Sequence, residues 1–321
     1  MPAGVIVRLV LTSLVAILSF LAGSAHGSDG TVARVEIGTT MQVKNVGIDD
    51  RTFGIWRGLL THRSLTRFSE DGSMVGDLAS SWDSSDGKVW TFRIRRDVKW
   101  HDGKEVTARD VAFTYKYLRE KFPVYVRHFN LMEDVQAVDK ETVTVRLLGP
   151  NSRFPVNVSG IGILPKHIFE NVADPGSYFE HGASLGCGPF IFQSLDRRNG
   201  ILTFVANPDH APRKPTVDSV RIRTFKNADT LYLALKKGEI DLPFNFPMGN
   251  DVPLLHSLKG ASRISLAAIS NLGVPRALFF NTGKPPANNP AFRRALSMAI
   301  DYQAMLDLFS GGYGRWPKSG F

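Results

Sequence analysis

The feature that most constrains the fold is the stretch of residues 77–122, in which turn signals separate an alternating apolar run from a helical one. In the alternating run, polar residues separate Trp90, Phe92 and Ile94, as in a strand that buries one face. The sequence Trp-His-Asp-Gly at residues 100–103 then predicts a turn, because aspartate and glycine favour turn conformations. We therefore expect a half-buried strand with a tight connection after it.

A helix is expected directly after this turn. Thr107 precedes Asp110 by three residues, which is the spacing of a capping box at a helix start. Apolar side chains then recur at helical spacing, namely Val111, Tyr115, Leu118 and Phe122. The strand, the turn and the capped helix together predict mixed α and β structure.

The same stretch resembles the family 5 extracytoplasmic solute-binding proteins of ABC importers, the peptide- and nickel-binding group. Four pieces carry the resemblance in one order: Leu-Ala-Ser-Ser-Trp at residues 78–82, Trp-Thr-Phe at 90–92, Val-Lys-Trp-His-Asp-Gly at 98–103 and Thr-Ala-Arg-Asp-Val at 107–111. The resemblance extends over about residues 30–318. It implies an α/β fold of the two-lobed periplasmic-binding-protein type, in its large form with an inserted subdomain.

The resemblance also implies a domain organisation. We expect a signal peptide in residues 1–27, lobe I in residues 28–47 and 185–265, the inserted subdomain in residues 48–184, and the start of lobe II in residues 266–321. Family members run well beyond this length, so we expect a C-terminally truncated chain with an incomplete second lobe.

Further elements follow from periodicity and turn signals. The prediction comprises strands in residues 32–40, 201–206, 217–225, 239–242 and 277–282, a hairpin in 135–148, helices in 53–60 and 229–237, a Pro-started helix in 164–169, and a helical pair or one bent helix in 289–309. Gly238 follows the helix of residues 229–237 and is expected to end it, because glycine adopts the left-handed conformation there.

Export is predicted from the first 27 residues. Arg8 supplies positive charge, residues 9–22 form an apolar run of 14, and small residues follow it, as in a secretory signal peptide. A membrane span needs roughly 20 apolar residues, so the run favours a cleaved signal over a retained anchor. We expect a monomeric protein in the periplasm.

Composition limits the other function classes. The formal net charge is +9, yet the Lys and Arg residues are scattered, whereas nucleic-acid binding requires a clustered basic patch. Cys187 is the only cysteine, which excludes an intramolecular disulfide and a multi-cysteine zinc site. Because no catalytic motif is present and the eight histidines are dispersed, the sequence predicts no enzyme, no cofactor and no metal site.

The resemblance implies capture of a solute and its delivery to an ABC permease and ATPase complex at the inner membrane. The first expectation for the ligand is a small peptide, either an oligopeptide or a dipeptide. A nickel chelate, a sugar or an opine-like compound stays open, as does a non-transporting sensor or a remnant fragment.

Six residues are implied as ligand contacts because their segments approach the ligand cleft in the family: Met41, Tyr125, Gly186, Cys187, Gly188 and Asn245. For Met41 the alternative is a surface loop without ligand contact. Two glycines around one residue allow a close backbone approach, which also suits a tight interdomain turn without ligand contact. Core packing explains Tyr125 equally well. Nothing basic lies beside Cys187 in sequence, so a small packed residue is favoured over a reactive thiol.

Overall fold

The structure is a computed structural model that describes residues 34–47, 51–69, 72–179, 181–210, 214–244 and 279–310. The chain divides into two compact units, one ending at Phe225 and the other beginning at Lys226. The predicted signal peptide lies outside the described residues, as does Asn245. Among the helices of the described ranges, none is long and apolar enough to cross a membrane.

The described part of the first unit contains ten strands, which pair into separate sheets. They are β1 (Arg34–Thr39), β2 (Thr66–Phe68), β3 (Met74–Gly76), β4 (Ala79–Asp83), β5 (Val89–Ile94), β6 (Met132–Ala137), β7 (Thr142–Leu147), β8 (Phe190–Asp196), β9 (Ile201–Ala206) and β10 (Ser219–Thr224).

The helices of this unit are short apart from one. They are α1 (Arg51–Trp56), which continues as a π-helical turn (Arg57–Thr61), α2 (Ala108–Lys121), α3 (Pro123–Phe129), α4 (Phe154–Asn157) and α5 (Lys166–Phe169). Pro165 occupies the N-cap of α5, one position before the helical position that the sequence predicts for it.

One sheet of the first unit is formed by its two ends. β1 runs parallel to β10, and β10, β9 and β8 pair antiparallel in that order. The strand predicted for residues 32–40 is confirmed as β1, in which Val35 and Ile37 are buried. Phe53 of α1 packs edge to face on Phe192 of β8, with ring centroids 5.3 Å apart. This contact places α1 against β8 of the sheet.

The second sheet is antiparallel throughout, with the strand order β4-β5-β7-β6. The prediction for β5 is confirmed, since Trp90, Phe92 and Ile94 are all buried. The predicted hairpin is confirmed as β6 and β7, whose residues pair from Met132 with Leu147 to Ala137 with Val143.

The capped helix is also confirmed. The Thr107 backbone N–H donates to Oδ2 of Asp110 at 2.8 Å, which completes the capping box of α2. Oδ1 of Asp110 accepts from the backbone N–H of Lys166 at 3.0 Å, so the same carboxylate ties α2 to α5. The four apolar positions predicted for the inner face are all buried: Val111, Tyr115, Leu118 and Phe122.

The described part of the second unit consists of α6 (Ala228–Lys237), β11 (Leu242–Pro243), α7 (Pro290–Ala299) and α8 (Tyr302–Ser310). Gly238 ends α6 with φ of 75°, as predicted. The helical pair is confirmed, with its break at Ile300 and Asp301. The strand predicted for residues 277–282 is wrong over residues 279–282, which form no strand, while residues 277 and 278 lie outside the described part.

Candidate functional site

The predicted turn Gly186–Gly188 lies against the π-helical turn that follows α1. A Cβ atom on Gly186 would stand 1.8 Å from the carbonyl oxygen of Thr61, and one on Gly188 would stand 2.6 Å from its carbonyl carbon. The Gly188 N–H donates to that same oxygen at 2.7 Å. The predicted close backbone approach is therefore confirmed. The Thr61 carbonyl group leaves no room for a side chain at residue 186 or 188, which explains both glycines. The ligand role of the turn stays a prediction.

His101 holds the turn from the other side with three hydrogen bonds. Its backbone N–H donates to the Gly186 carbonyl at 2.8 Å. Its ring Nδ1 accepts from the Gly186 N–H at 3.3 Å, and its Nε2 lies 3.1 Å from the Gly188 carbonyl oxygen. Asn207 Nδ2 also donates to this oxygen at 3.1 Å. We call Thr61, His62, His101, Asn207 and the turn Gly186–Gly188 the glycine-turn junction.

His62 is the buried histidine of this junction, with 3% of its surface exposed. Its Nδ1 lies 2.9 Å from Oγ1 of Thr61, and the Gly186 backbone packs beside the ring. Burial lowers the pKa of His62 well below its ordinary value, and the nearby charges of Arg57 and His101 lower it further. The junction therefore favours the neutral form of this imidazole.

A partly buried ion pair adjoins the junction. Nε of Arg63 donates to Oδ1 of Asp77 at 2.7 Å, and the Ser64 N–H donates to Oδ2 at 2.9 Å. The Cys187 side chain is buried near this pair, and burial raises the pKa of its thiol to about 12. A thiol that stays protonated at neutral pH is a poor nucleophile, which supports a packing role for Cys187.

The other predicted contacts lie on separate elements. Tyr125 is half-buried on α3, where its ring meets Phe122 edge to face at 6.3 Å and His128 at 6.2 Å. Met41 is half-buried in the loop after β1, and its N–H donates to Oγ1 of Thr39 at 3.1 Å. The ligand contacts predicted for Tyr125 and Met41 stay predictions.

The sequence does not predict the π-helical turn, nor the burial of the polar run that follows it in the chain. A helix was expected to end near Leu60, and the following Thr-His-Arg-Ser-Leu-Thr run at residues 61–66 is polar in composition yet entirely buried. Polar residues are ordinarily exposed, so the composition of this run does not indicate that it is buried. The paired glycines were the available signal, because they require a close backbone partner somewhere in the chain.

Among the described residues, no group of three or more His, Cys, Asp or Glu side chains could hold a metal ion. The nearest arrangement is a pair: Nε2 of His167 lies 2.8 Å from Oδ2 of Asp102. Lys104 Nζ lies 3.5 Å from the same oxygen. These contacts form a local charge cluster beside the turn that carries His101.

Comparison with known proteins identifies the class. The family model for bacterial extracellular solute-binding proteins, family 5 Middle, matches residues 73–319. The chain therefore belongs to the family 5 solute-binding proteins of ABC importers, and the predicted α/β periplasmic-binding-protein fold is confirmed.

Three proteins indicate the range of relatives. The chain is 30% identical over 264 residues to the probable D,D-dipeptide-binding periplasmic protein DdpA of Escherichia coli K12, covering 79% of this chain and 50% of that protein. It is 27% identical to NikZ of Campylobacter jejuni in complex with Ni(L-His), with a TM-score of 0.69 and coverage of 85% and 54%. It is 25% identical to MoaA of A. tumefaciens R10 in complex with mannopinic acid, with a TM-score of 0.69 and coverage of 88% and 58%. The chain thus spans about half the length of the relatives it matches.

Proposed function

We propose that this chain captures a solute outside the cytoplasmic membrane and presents it to an ABC permease and ATPase complex. The observation that carries the proposal is the family match over residues 73–319. The activity is binding without catalysis, in keeping with relatives that are named for the ligands they bind. Residues 1–27 would direct export to the periplasm, where the protein would act as a monomer.

A short peptide is the proposed ligand. The supporting relative is the probable D,D-dipeptide-binding protein, which matches 79% of this chain. Backbone hydrogen bonds can hold an extended peptide with little dependence on its side chains. The NikZ and MoaA complexes support a nickel chelate or an opine as the second candidate class. The structure disfavours His101 as a ligand for a chelate, because the glycine turn engages both of its ring nitrogens.

The proposed mechanism is closure of two lobes around the ligand. Lobe I would comprise residues 28–47 and 185–265, the inserted subdomain residues 48–184, and lobe II would begin at residue 266. Met41, Tyr125, Asn245 and the turn Gly186–Gly188 would contribute ligand contacts. Exposure supports Tyr125 and Met41, since each keeps part of its side chain accessible. For the glycine turn, backbone groups would make any contact.

Thermal unfolding of the full chain tests this proposal. A ligand that binds only the folded state stabilises it by mass action, by about 2.7 kcal/mol at a hundredfold excess over Kd. We expect an upward shift of the unfolding midpoint with a mixture of di- and tripeptides. Nickel with L-histidine and mannopinic acid serve as parallel additions. A shift with nickel and L-histidine or with mannopinic acid, but not with the peptides, would reassign the ligand class. The absence of a shift with all three additions would contradict solute capture.

A pair of neighbouring variants tests the proposed contact on α3. Tyr125→Ala removes a half-buried aromatic ring, whereas Val126→Ala removes a small side chain that is 44% exposed on the same short helix. We expect the first to weaken peptide binding about tenfold, the loss of roughly 1.4 kcal/mol of contact, and the second to leave Kd unchanged. Equal Kd values for both variants would remove Tyr125 from the site.

A further inference from the structure

We propose that His101 and His62 form a proton-sensitive clip that holds the turn Gly186–Gly188. In this proposal the clip is closed while both imidazoles are neutral, and a proton on either one opens it. The inference concerns how the fold responds to acid. It goes beyond the proposed function and does not rest on it.

The hydrogen bonds define the protonation state of His101. A backbone N–H can only donate, so Nδ1 of His101 accepts from Gly186 and carries no proton. A carbonyl oxygen can only accept, so Nε2 carries the proton and donates to Gly188. The closed turn therefore requires the neutral Nε2–H tautomer. A second proton, on Nδ1, would face the Gly186 N–H and remove the acceptor of that bond.

The surroundings of His62 favour a neutral ring. Oγ1 of Thr61 donates to the carbonyl of Arg57 at 3.1 Å, so it accepts from Nδ1–H of His62. Nε2 of His62 is then the unprotonated nitrogen. It is buried and has no hydrogen-bond partner within the part of the chain that the structure describes. A proton on Nε2 would create a buried charge without an acceptor, which is strongly unfavourable.

Burial is the main factor that opposes protonation of the histidines in this region. Burial lowers the pKa of His101, while the Gly188 carbonyl and the Asp102 carboxylate act in the opposite direction. Burial lowers the pKa of His210 to about 4, with Arg63 and His101 contributing. The charged groups that act on the clip histidines themselves are Arg57 on His62 and Asp102 on His101. Lys104 and His167 act on Asp102, Arg63 acts on His210 and Cys187, and Asp77 and Asp110 act on Cys187.

The sign of the acid response follows from these directions. A histidine whose pKa is lower in the folded state than its ordinary 6.5 binds fewer protons there than in the open state. The population of the open state relative to the closed state therefore rises as the pH falls below about 6.5. Each such histidine shifts the opening equilibrium by about tenfold per pH unit until it titrates in the folded state.

Opening of the clip would have a local effect on the first sheet. The turn directly precedes β8, and the Asn207 N–H donates to the carbonyl of Pro189 at 2.8 Å beside it. Loss of the bonds to His101 and Thr61 would leave the start of β8 held by its pairing with β9 and by the two hydrogen bonds from Asn207. Acid would thus loosen the connection between the glycine turn and this sheet before the sheet itself opens.

Hydrogen exchange of the full chain tests the clip directly. Backbone protection in residues 185–189 is compared at pH 7.5 and pH 5.0 by mass spectrometry, after correction for the intrinsic exchange rate. We expect protection there to fall at least tenfold more than in β5 and β7. An equal change in residues 185–189 and in these strands would overturn the proposal, because it would indicate general acid unfolding.

A matched pair of variants assigns the effect to His101. His101→Gln keeps an acceptor and a donor without a titrating group, whereas His128→Gln changes a histidine on α3 that bonds to Asn157. We expect His101→Gln to reduce the acid-dependent loss of protection at least threefold and His128→Gln to preserve it. The same acid response in His101→Gln and the wild type would overturn the role of His101. If His101→Gln does not fold, the exchange result on the wild-type chain decides whether the proposed clip exists.

Discussion

Helices α2 and α7 have similar N-terminal hydrogen bonds but differ in how much of each helix is buried. In each helix a polar side chain near the N-terminus accepts a backbone N–H: Asp110, the third residue of α2, and Asn289, the N-cap of α7. Both carry apolar residues at helical spacing. Yet eight residues of α2 are buried and none of those in α7 is. Local signals therefore specify where a helix forms, while the packing partner specifies how much stability its apolar face contributes.

The largest expected difference is between equivalent leucines on the two helices. Leu118 of α2 is 2% exposed, whereas Leu296 of α7 is only half-buried. Leu118→Ala leaves a cavity in a packed core and is expected to lower the free energy of unfolding by about 2–5 kcal/mol. Leu296→Ala is expected to cost less than about 1 kcal/mol. Chemical denaturation measures both, and equal losses would contradict the contrast in packing.

The second comparison uses glycines in a closed and an open position. Gly186→Ala places a methyl group against the Thr61 carbonyl, so the backbone must shift, and we expect a loss of about 1–3 kcal/mol or more. Gly54 lies in α1 with nothing within 4 Å of its Cβ position. Gly54→Ala is expected to stabilise by up to about 1 kcal/mol through helix propensity. Thermal unfolding of both variants gives the signs, and a stable Gly186→Ala protein would refute the close approach.

The smallest expected difference concerns the two helix caps. Asp110 is buried and accepts hydrogen bonds from the backbone N–H groups of Thr107 and Lys166. Asp110→Ala is expected to cost about 1–3 kcal/mol, because it leaves buried donors without acceptors. Asn289 accepts one exposed bond from Ala291, and Asn289→Ala is expected to cost about 0.5–1 kcal/mol. A larger loss at Asn289, measured by urea unfolding, would reverse the comparison.

The sequence predicted the parts of the fold that depend on neighbours in the chain. The alternation in β5, the capping box of α2 and the glycine end of α6 are local signals, and each is confirmed. The helix α3 and the π-helical turn Arg57–Thr61 were not predicted, because neither has a distinctive pattern.

The candidate site was less accessible to sequence reasoning. The two glycines predicted a close backbone contact. The identity of its partner, Thr61, depends on how distant segments of the chain pack, which the sequence does not show. The burial of His62 in a polar run could not be read from the run itself. For the second unit, the strand expected over residues 277–282 is wrong in its described part, which shows that β-branched and aromatic composition alone does not ensure pairing.

Calorimetric titration of short peptides into the full chain tests the central claim most directly. The account predicts saturable binding of one peptide per chain, with a midpoint shift in thermal unfolding that follows the measured Kd. Neither heat nor a midpoint shift with peptides, nickel with L-histidine or mannopinic acid would contradict the claim that this chain captures a solute.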